Sequence, residues 1–393
     1  MIATITYRPN AQKTFGLFDR ILTEAILSDI CMLVTGQSQY RVVKDTSTYN
    51  KGRLVYVEYN NVINYVSLSE TSIRGRNSSL QSVPSAINLY YADTHPNKKL
   101  CYYFMPHNGN AFTDYHLFIY RLLMTAGVQF LNILQYYHEQ ILPYDNVDDL
   151  IIDRRDNQGG NSSNNSSYVS KSMDSIQIYA KTFGASKYES TLMAVAISHI
   201  ADRPVELYNI CEKDLKKLPQ ASINTIESLG NISLYYTTLF LDKHQSADES
   251  ERAKLRSASY LYNLYNHIGY KKCALCSCEI SEIIQGAHIW GVSQISNTNN
   301  MSEEEKFTHA VSGSNGLWLC QNHHKLFDSN IVMIDNNGHV RIKDGLVAKD
   351  IAFIRSVTFK TSLDDAIMTD DFRFYISKRN QGLNINNFQV LVI

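Results

Sequence analysis

Two short pairs of potential metal ligands constrain this chain more than any other feature of its sequence. Cys273 and Cys276 are separated by two residues, and Cys320 and His323 repeat that spacing further along. Two such pairs complete the tetrahedron of sulfur and imidazole ligands that Zn²⁺ prefers in closed structural sites. The sequence therefore predicts a small domain folded around a structural zinc ion. Cys278 is an alternative to Cys276, although the two-residue spacing favours Cys276.

Three further polar residues lie within or beside this stretch. His288 lies between the two pairs in GAHIWGV, Asn315 lies in SNGLWLC, and His324 directly follows His323. Adjacent side chains on a helix point about 100° apart. We therefore expect His323 to face the zinc ion and His324 to face a cleft.

The spaced pattern of AHI and NGLWLCQNHHKLFD, framed by the two ligand pairs, resembles the HNH nuclease domain in the form found in bacterial type II restriction endonucleases. The resemblance covers about residues 268–345 and implies a ββα fold around a catalytic divalent metal ion. It implies that His288 is the general base, that Asn315 holds the loop joining the strands, and that His324 binds the catalytic metal. The structural zinc ligands that it implies are Cys273, Cys276, Cys320 and His323.

The chemistry of phosphodiester hydrolysis agrees with these roles. A histidine with a pKa near 6.5 can take a proton from water at neutral pH. A divalent cation offsets the charge that develops on the phosphate, and an imidazole with oxygen ligands suits Mg²⁺ or Mn²⁺. Many HNH enzymes carry an acidic metal ligand directly before the base, but Ala287 occupies that position here. Asp328 and His309 are the candidates for a second ligand, and each is also explained by a structural role.

The length of the chain, 393 residues, predicts more than one domain, and its 44% hydrophobic content is enough for sizeable cores. We expect an α+β protein in which a mixed α/β recognition region precedes a zinc-stabilised ββα-metal nuclease domain. The expected segments are an α+β region for DNA recognition (1–155), a flexible linker or loop (156–172), a helical and β middle region for DNA recognition or dimerisation (173–267), the HNH domain (268–345) and a C-terminal extension (346–393).

Hydrophobic periodicity and turn residues predict several local elements. Residues 52–69 read as a β-hairpin turning at Asn60–Asn61, and residues 112–140 read as one long apolar helix. After the polar segment, residues 174–204 read as two helices broken at Gly184. A second hairpin is expected to turn at Asn336–Gly338.

The net charge of −1 means that DNA binding must depend on local basic patches rather than on the overall field of the protein. Basic residues among polar neighbours or on polar helices are the candidates for phosphate and base contacts, and ordinary solvated surface positions are the alternative. These candidates are Arg74, Arg76, Lys213, Lys216, Lys217, Arg252, Lys254 and Arg256.

The function that these features favour is a sequence-specific, Mg²⁺- or Mn²⁺-dependent restriction endonuclease acting on double-stranded DNA as a homodimer. The alternatives are a modification-dependent defence nuclease, a zinc-stabilised DNA-binding protein with a decayed site, and a protein-interaction module. Scattered cysteines (Cys31, Cys101 and Cys211) and the lack of a signal peptide or membrane helix lead us to expect a bacterial cytoplasmic protein.

Overall fold

The computed structural model describes residues 2–7, 22–45, 54–68, 77–104, 114–132, 141–156, 167–181, 186–211, 218–238 and 249–392. The helices are α1 (Glu24–Thr35), α2 (Asn77–Ala92), α3 (Asp114–Thr125), α4 (Val147–Asp156), α5 (Ser186–Ile200), α6 (Gln220–Ser228), α7 (Glu249–Ile268), α8 (Val292–Ser296), α9 (Glu303–Val311), α10 (Gln321–Asp328), α11 (Ala348–Val357) and α12 (Asp370–Asn380). Helices and strands are both abundant, as the predicted α+β class requires.

Strands alternate with these helices along the described part of the chain. They are β1 (Ala3–Tyr7), β2 (Tyr40–Lys44), β3 (Leu54–Tyr59), β4 (Val62–Leu68), β5 (Lys98–Tyr103), β6 (Gln129–Phe130), β7 (Ser167–Lys171), β8 (Ile176–Lys181), β9 (Val205–Cys211), β10 (Ile232–Thr238), β11 (Ile284–His288), β12 (Gly316–Cys320), β13 (Val332–Ile334), β14 (Val340–Lys343) and β15 (Phe388–Val390). Four sheets result, with strand orders β2-β1-β3-β4-β5-β6, β10-β9-β8-β7, β11-β12 and β13-β14-β15.

The chain divides into two compact units. The N-terminal unit contains Met1–Val169, Ala180–Asn209 and Lys216–Leu234. The C-terminal unit contains Ser170–Tyr179, Ile210–Leu215 and Tyr235–Ile393.

The N-terminal unit is built around the six-stranded sheet. β3 and β4 form the predicted antiparallel hairpin, and its two turn residues, Asn60 and Asn61, have φ angles of 50° and 61°. Asparagine tolerates this left-handed conformation, which a two-residue hairpin turn requires at both central positions. The hairpin prediction is confirmed.

The core of this sheet is apolar. Ile5, Val57 and Val66 on the strands pack with Ile30 and Cys31 of α1, and all five side chains are fully buried. α1 begins at Thr23, whose hydroxyl accepts a hydrogen bond from the amide of Ile26, and it ends at Gly36 with a φ of 70°. Both are favourable helix caps, so this helix is defined by local sequence as well as by burial.

The predicted helix over residues 112–140 is wrong in its C-terminal half. α3 ends at Thr125, and Gly127 has a φ of 80°. The amide of Val128 then donates to the carbonyl of Leu123, which is the hydrogen bond of a Schellman cap. The glycine thus ends the helix, and β6 follows. Residues 133–140 lie outside the described residues.

Two other expectations differ from the structure after residue 156. The last residues of the polar segment predicted as a linker form strand β7, and residues 157–166 lie outside the described residues. Residues 176–181, predicted as helix, form strand β8, and a helix begins only at Ser186. Ile176, Ile178 and Ala180 on one face of the strand are buried, and so is Tyr179 on the other face, so this short apolar run has no periodicity that separates strand from helix.

The C-terminal unit contains the long helix α7, the cysteine-rich segment, the β11–β12 pair and helix α10. β11 and β12 are antiparallel, with His288 opposite Gly316 and Ile284 opposite Cys320. α10 begins directly after β12, so two strands and one helix form a ββα unit. The predicted hairpin over Asn336–Gly338 is confirmed by antiparallel β13 and β14, and Gly338 has a φ of 85°.

Residues after 345 complete the C-terminal unit. β15 pairs with β14, and Val390 lies opposite Arg341. The amide of Phe359 donates to the carbonyl of Leu275 in the cysteine-rich segment. Among the described residues, no helix combines the length and the apolar character that crossing a bilayer requires.

Candidate metal centre and active site

A cluster of three thiols and one imidazole lies in the C-terminal unit. Cys273 and Cys276 belong to the turn that follows α7, Cys320 is the last residue of β12, and His323 lies in the first turn of α10. All four are buried, and one ligand atom from each lies within 4.8 Å of the others. Cys278 does not belong to this group among the described residues.

The distances within the cluster fit a tetrahedral zinc site. The Sγ atoms of Cys276 and Cys320 are 3.9 Å apart, and Nδ1 of His323 lies 3.2 Å from Cys320 Sγ and 3.5 Å from Cys273 Sγ. Zinc bonds of about 2.3 Å to sulfur and about 2.0–2.1 Å to nitrogen give tetrahedron edges of about 3.5–3.8 Å. The cluster is therefore compatible with a structural zinc ion.

The second nitrogen of His323 also has a partner. Its Nε2 lies 3.1 Å from the hydroxyl of Thr358, a fully buried residue on the segment after α11. A contact of this kind orients a metal-binding imidazole and fixes which nitrogen faces the metal. Thr358 lies in the C-terminal extension, which the sequence did not connect with the zinc ligands.

Burial disfavours the thiolate and imidazolium forms of these four side chains when no cation is bound. Desolvation raises the pKa of the Cys273 and Cys276 thiols and lowers the pKa of His323 to about 4. Thiolates are the form that binds zinc, and a bound cation offsets the cost of burying their charge. The low pKa of His323 leaves its imidazole neutral, as metal binding requires.

His288 is held at the end of β11 by two different contacts. Its Nε2 lies 2.9 Å from the carbonyl oxygen of Ala310, near the C-terminus of α9. A carbonyl only accepts hydrogen bonds, so Nε2 carries the proton and Nδ1 of the neutral ring keeps its lone pair. One face of the ring stacks on Tyr260 of α7. The available nitrogen is therefore Nδ1.

The surroundings of His288 lower its pKa. Desolvation is the largest cause and outweighs the hydrogen bond to Ala310, which raises the pKa. His324 lowers it further and Asp328 raises it, so both helix residues are close enough to act on the His288 ring. The imidazole therefore stays neutral, as a general base must be, below the usual histidine pKa of about 6.5.

Asn315 ties together the ends of the connection between β11 and β12. Its side-chain oxygen accepts from the amide of Trp290, and its Nδ2 donates to the carbonyls of Trp290 and His309. The side chain is fully buried. All of these partners are backbone groups, so Asn315 fixes the path of the loop directly after His288.

His324 points away from the zinc cluster. Its Nδ1 lies 2.8 Å from Oε1 of Gln285 on β11, and its Nε2 lies 3.4 Å from Oδ2 of Asp328, one turn further along α10. The amide oxygen accepts from Nδ1, so Nε2 is the ring atom that faces Asp328. His324 and Asp328 are partly and largely exposed respectively. An imidazole nitrogen and a carboxylate oxygen thus face each other at a solvent-accessible position on α10.

His309, the other candidate ligand, is surrounded by aromatic residues. Its Nδ1 lies 3.0 Å from the hydroxyl of Tyr375, and its ring contacts Trp290 and Phe374. These contacts give it a packing role between α9 and α12. Of the two candidates, only Asp328 contacts His324 in the described part of the chain.

Arg379 of α12 connects the two halves of the site. Its guanidinium donates to the carbonyls of Ile289 and Phe327 and to the side chain of Asn330, and it lies 3.7 Å from the Phe327 ring centroid. Ile289 directly follows His288, and Phe327 directly precedes Asp328. One half-buried cation therefore links the end of β11 to the end of α10.

The side chains expected to contact DNA lie outside the part of the chain that the structure describes. Arg74 and Arg76, and also Lys213, Lys216 and Lys217, lie outside the described residues. Arg252, Lys254 and Arg256 belong to helix α7, but their side chains are also outside the described set.

Only one of the additional residues at the site has a signal in the sequence. Asp328 is four residues after His324, and this spacing places both on one helix face. Tyr260, Thr358 and Arg379 have no such signal, because they reach the site from outside its motif. Only their three-dimensional contacts associate them with the site.

Comparison with known proteins agrees with this geometry. No curated protein matches the chain. Residues 273–335 match the family whose description is HNH endonuclease, a domain type that indicates nuclease activity on DNA. The matched segment contains all four thiol and imidazole ligands together with His288, Asn315, His324 and Asp328. This match and the ββα arrangement support the HNH endonuclease family for this part of the chain.

Proposed function

We propose that this protein is a metal-dependent, sequence-specific DNA endonuclease of the type II restriction class. The observation that carries the proposal is the environment of His288 within the HNH-like segment. Its Nε2 is bonded to a backbone carbonyl, and His324 and Asp328 lie close enough to act on its pKa. His324 and Asp328, an exposed pair of potential metal ligands, thus act electrostatically on an imidazole whose Nδ1 keeps its lone pair.

In the proposed reaction, His288 takes a proton from the attacking water through Nδ1. The hydrogen bond to Ala310 keeps the ring oriented as it gains charge, because the carbonyl also accepts from the imidazolium form. Asn315 holds the backbone after His288 and so fixes the direction of the base. A positioned general base contributes about 10²- to 10⁴-fold to a rate.

His324 and Asp328 would hold the catalytic Mg²⁺ or Mn²⁺. This donor set fits the ion, because Nε2 of His324 and a carboxylate oxygen face each other at 3.4 Å and both are accessible to water and phosphate. When bound, such an ion offsets the negative charge that develops on the phosphate oxygens. Asp328 would take the part of the acidic residue that Ala287 does not supply.

The remaining parts of the proposal concern DNA recognition. The residues before the HNH-like segment are available to choose a target sequence. One HNH site cuts one strand, so double-strand cleavage at a symmetric sequence requires a homodimer or two successive binding events. The proposed DNA contacts are Arg74, Arg76, Lys213, Lys216, Lys217, Arg252, Lys254 and Arg256.

The test is incubation of the purified chain with plasmid DNA and Mg²⁺ or Mn²⁺, beside His288→Ala, followed by sequencing of the fragment ends. We expect discrete ends that depend on the ion, and a cleavage rate about 10²- to 10⁴-fold lower in the variant. DNA affinity, measured by gel shift in Ca²⁺, is expected to be the same for both proteins.

Two other outcomes correspond to the alternative functions. Cleavage of methylated DNA alone, in a side-by-side digestion with unmodified DNA, would indicate a modification-dependent nuclease. DNA binding without cleavage in any divalent ion would indicate a zinc-stabilised DNA-binding protein and would overturn the proposed activity.

A further inference from the structure

The face of the His288 ring is covered by an aromatic side chain that lies outside the HNH-like segment. The rings of Tyr260 and His288 are nearly parallel, with an interplanar angle of 16° and centroids 3.8 Å apart. Tyr260 belongs to α7 and is only 4% exposed. The Ala310 carbonyl holds one edge of the same imidazole. Face and edge are therefore restrained by two different helices.

Two glycines of the β11–β12 pair make room for this ring. A Cβ atom at Gly316 would lie 2.1 Å from the hydroxyl oxygen of Tyr260 and 2.9 Å from its Cζ atom. A Cβ atom at Gly286 would lie 2.9 Å from Cε1 of the same tyrosine. Gly316 is the residue directly opposite His288 in the strand pair. Larger residues at either position would displace the tyrosine from the imidazole.

The hydroxyl of Tyr260 does not explain the presence of this residue. It is buried and has no hydrogen-bond partner among the described residues. Leaving a buried hydroxyl unpaired is unfavourable. The aromatic ring, which covers the base, is thus the part of the side chain that the site uses.

We propose that Tyr260 is a positioning residue for His288, so that α7 is part of the nuclease active site. The Tyr260 ring prevents the His288 ring from tilting, while the hydrogen bond to Ala310 prevents it from rotating. Nδ1 then keeps the orientation in which it takes the proton from the attacking water. The inference rests on the proposed function for its catalytic consequence. The orientation of the His288 ring is a separate, directly measurable consequence.

The experiment compares Tyr260→Leu with Tyr260→Phe and with Tyr265→Leu in the full chain. Tyr265 is a matched control, because it lies on the same helix, is 5% exposed and packs on Trp318 instead of His288. The measurements are kcat and KM for a cleaved DNA duplex, zinc content, thermal unfolding, and the tautomer of His288 from nitrogen NMR shifts with labelled histidine.

We expect Tyr260→Leu to lower kcat about 100-fold with an unchanged KM. A displacement of a catalytic group by about 1 Å has an effect of this size. Without the stack, its His288 ring should be able to tilt away from the Ala310 carbonyl, so the single Nε2–H tautomer should give way to a mixture of both tautomers. Tyr260→Phe should retain both the tautomer and kcat, since it keeps the ring. Tyr265→Leu should lower the melting temperature without changing kcat or the tautomer.

A second pair of variants keeps the test decisive if Tyr260→Leu does not fold. Gly316→Ala displaces the Tyr260 ring without removing it. Adding Tyr260→Phe to Gly316→Ala removes the hydroxyl oxygen, which is the nearest clashing atom. We expect kcat to fall in Gly316→Ala and to recover partly in the double variant. Equal rates in these two proteins would overturn the inference.

The two proposals fail in different ways. If the wild-type protein does not cut DNA, the proposed function is wrong, and the NMR tautomer alone decides the role of Tyr260. If the wild type cuts and Tyr260→Leu keeps its kcat and its tautomer, Tyr260 is an ordinary core residue.

Discussion

The two units of this protein bury the same residue types in different surroundings. In the N-terminal unit, Cys101 lies among apolar side chains, and burial raises the pKa of its thiol to about 12. In the C-terminal unit, Cys276 lies beside two other thiols and an imidazole. The first cysteine serves as a small hydrophobic residue, and the second belongs to a site that needs a cation. Burial of a thiol alone therefore does not indicate chemistry, whereas its neighbours do.

Buried asparagines differ in the same way. Asn64 in the N-terminal unit donates one hydrogen bond to the carbonyl of Val57, within a strand pair. Asn315 in the C-terminal unit makes three hydrogen bonds to the loop behind His288. Both units have apolar cores, and the C-terminal unit adds to its core a buried cluster of potential metal ligands and the hydrogen bonds of Asn315.

The largest expected difference between the units follows from replacing one cysteine in each. Cys276→Ala should abolish zinc binding, measured by elemental analysis, and remove hydrogen-exchange protection from β11, β12 and α10, because structural zinc binding supplies the folding free energy of such domains. Cys101→Ala should lower the free energy of unfolding by only about 1 kcal/mol. Equal effects of the two substitutions would contradict the contrast.

Replacing one asparagine in each unit should give a smaller difference. We expect Asn315→Ala to lower the free energy of unfolding of its unit by about 3 kcal/mol, since three hydrogen bonds of about 1 kcal/mol each are lost. Asn64→Ala, with one such bond, should lower it by about 1 kcal/mol. Hydrogen exchange in the two strand pairs measures both values, and a larger effect at Asn64 would reverse the comparison.

The contact between His323 and Thr358 should have a moderate effect on the metal. Thr358→Val removes the hydroxyl that orients the zinc-binding imidazole and should weaken zinc binding about 10- to 100-fold. Competition with a chromophoric chelator measures this affinity. Thr361→Val is the control, because Thr361 is an exposed residue three positions later. Zinc affinities that are the same in both variants would mean that the imidazole needs no such partner.

The smallest expected effect concerns pH. Burial lowers the pKa of His288, so the base should stay neutral and active as the pH falls below about 6.5, and activity should decline only at lower pH. The lowered pKa also affects the free energy of unfolding. The contribution of neutral His288 to this free energy is fully present above the pKa of His288 in the unfolded chain, and it is lost as the pH falls through the lower pKa of His288 in the folded protein. The dependence of kcat/KM on pH measures the decline in activity at low pH. A midpoint of this decline at or above 6.5 would contradict the lowered pKa of His288.

Sequence alone predicted the parts of the molecule that local spacing defines. The two ligand pairs predicted the cluster of three thiols and one imidazole, and the asparagine pair at residues 60–61 predicted the first hairpin. The mixture of α and β structure was also predicted. These features depend on a few residues close together in the chain, so their sequence signals are strong.

Other features could not be predicted because they depend on distant residues or on a single competing glycine. The helix predicted over residues 112–140 ends early at Gly127, and the apolar run of β8 has a helical reading as well as a strand reading. The contacts of Tyr260, Thr358 and Arg379 join positions far apart in the chain. No local pattern contains that information.

Strand β15 has a consequence for how the protein is made. It pairs with β14, and the segment before it supplies Thr358 to His323 and Arg379 to the loop after His288. During translation, the HNH-like segment therefore emerges from the ribosome well before the residues that contact it. A nascent chain stopped before residue 358 would hold this segment without Thr358, Arg379 and β15, so the site should reach its final geometry only after synthesis has passed residue 390.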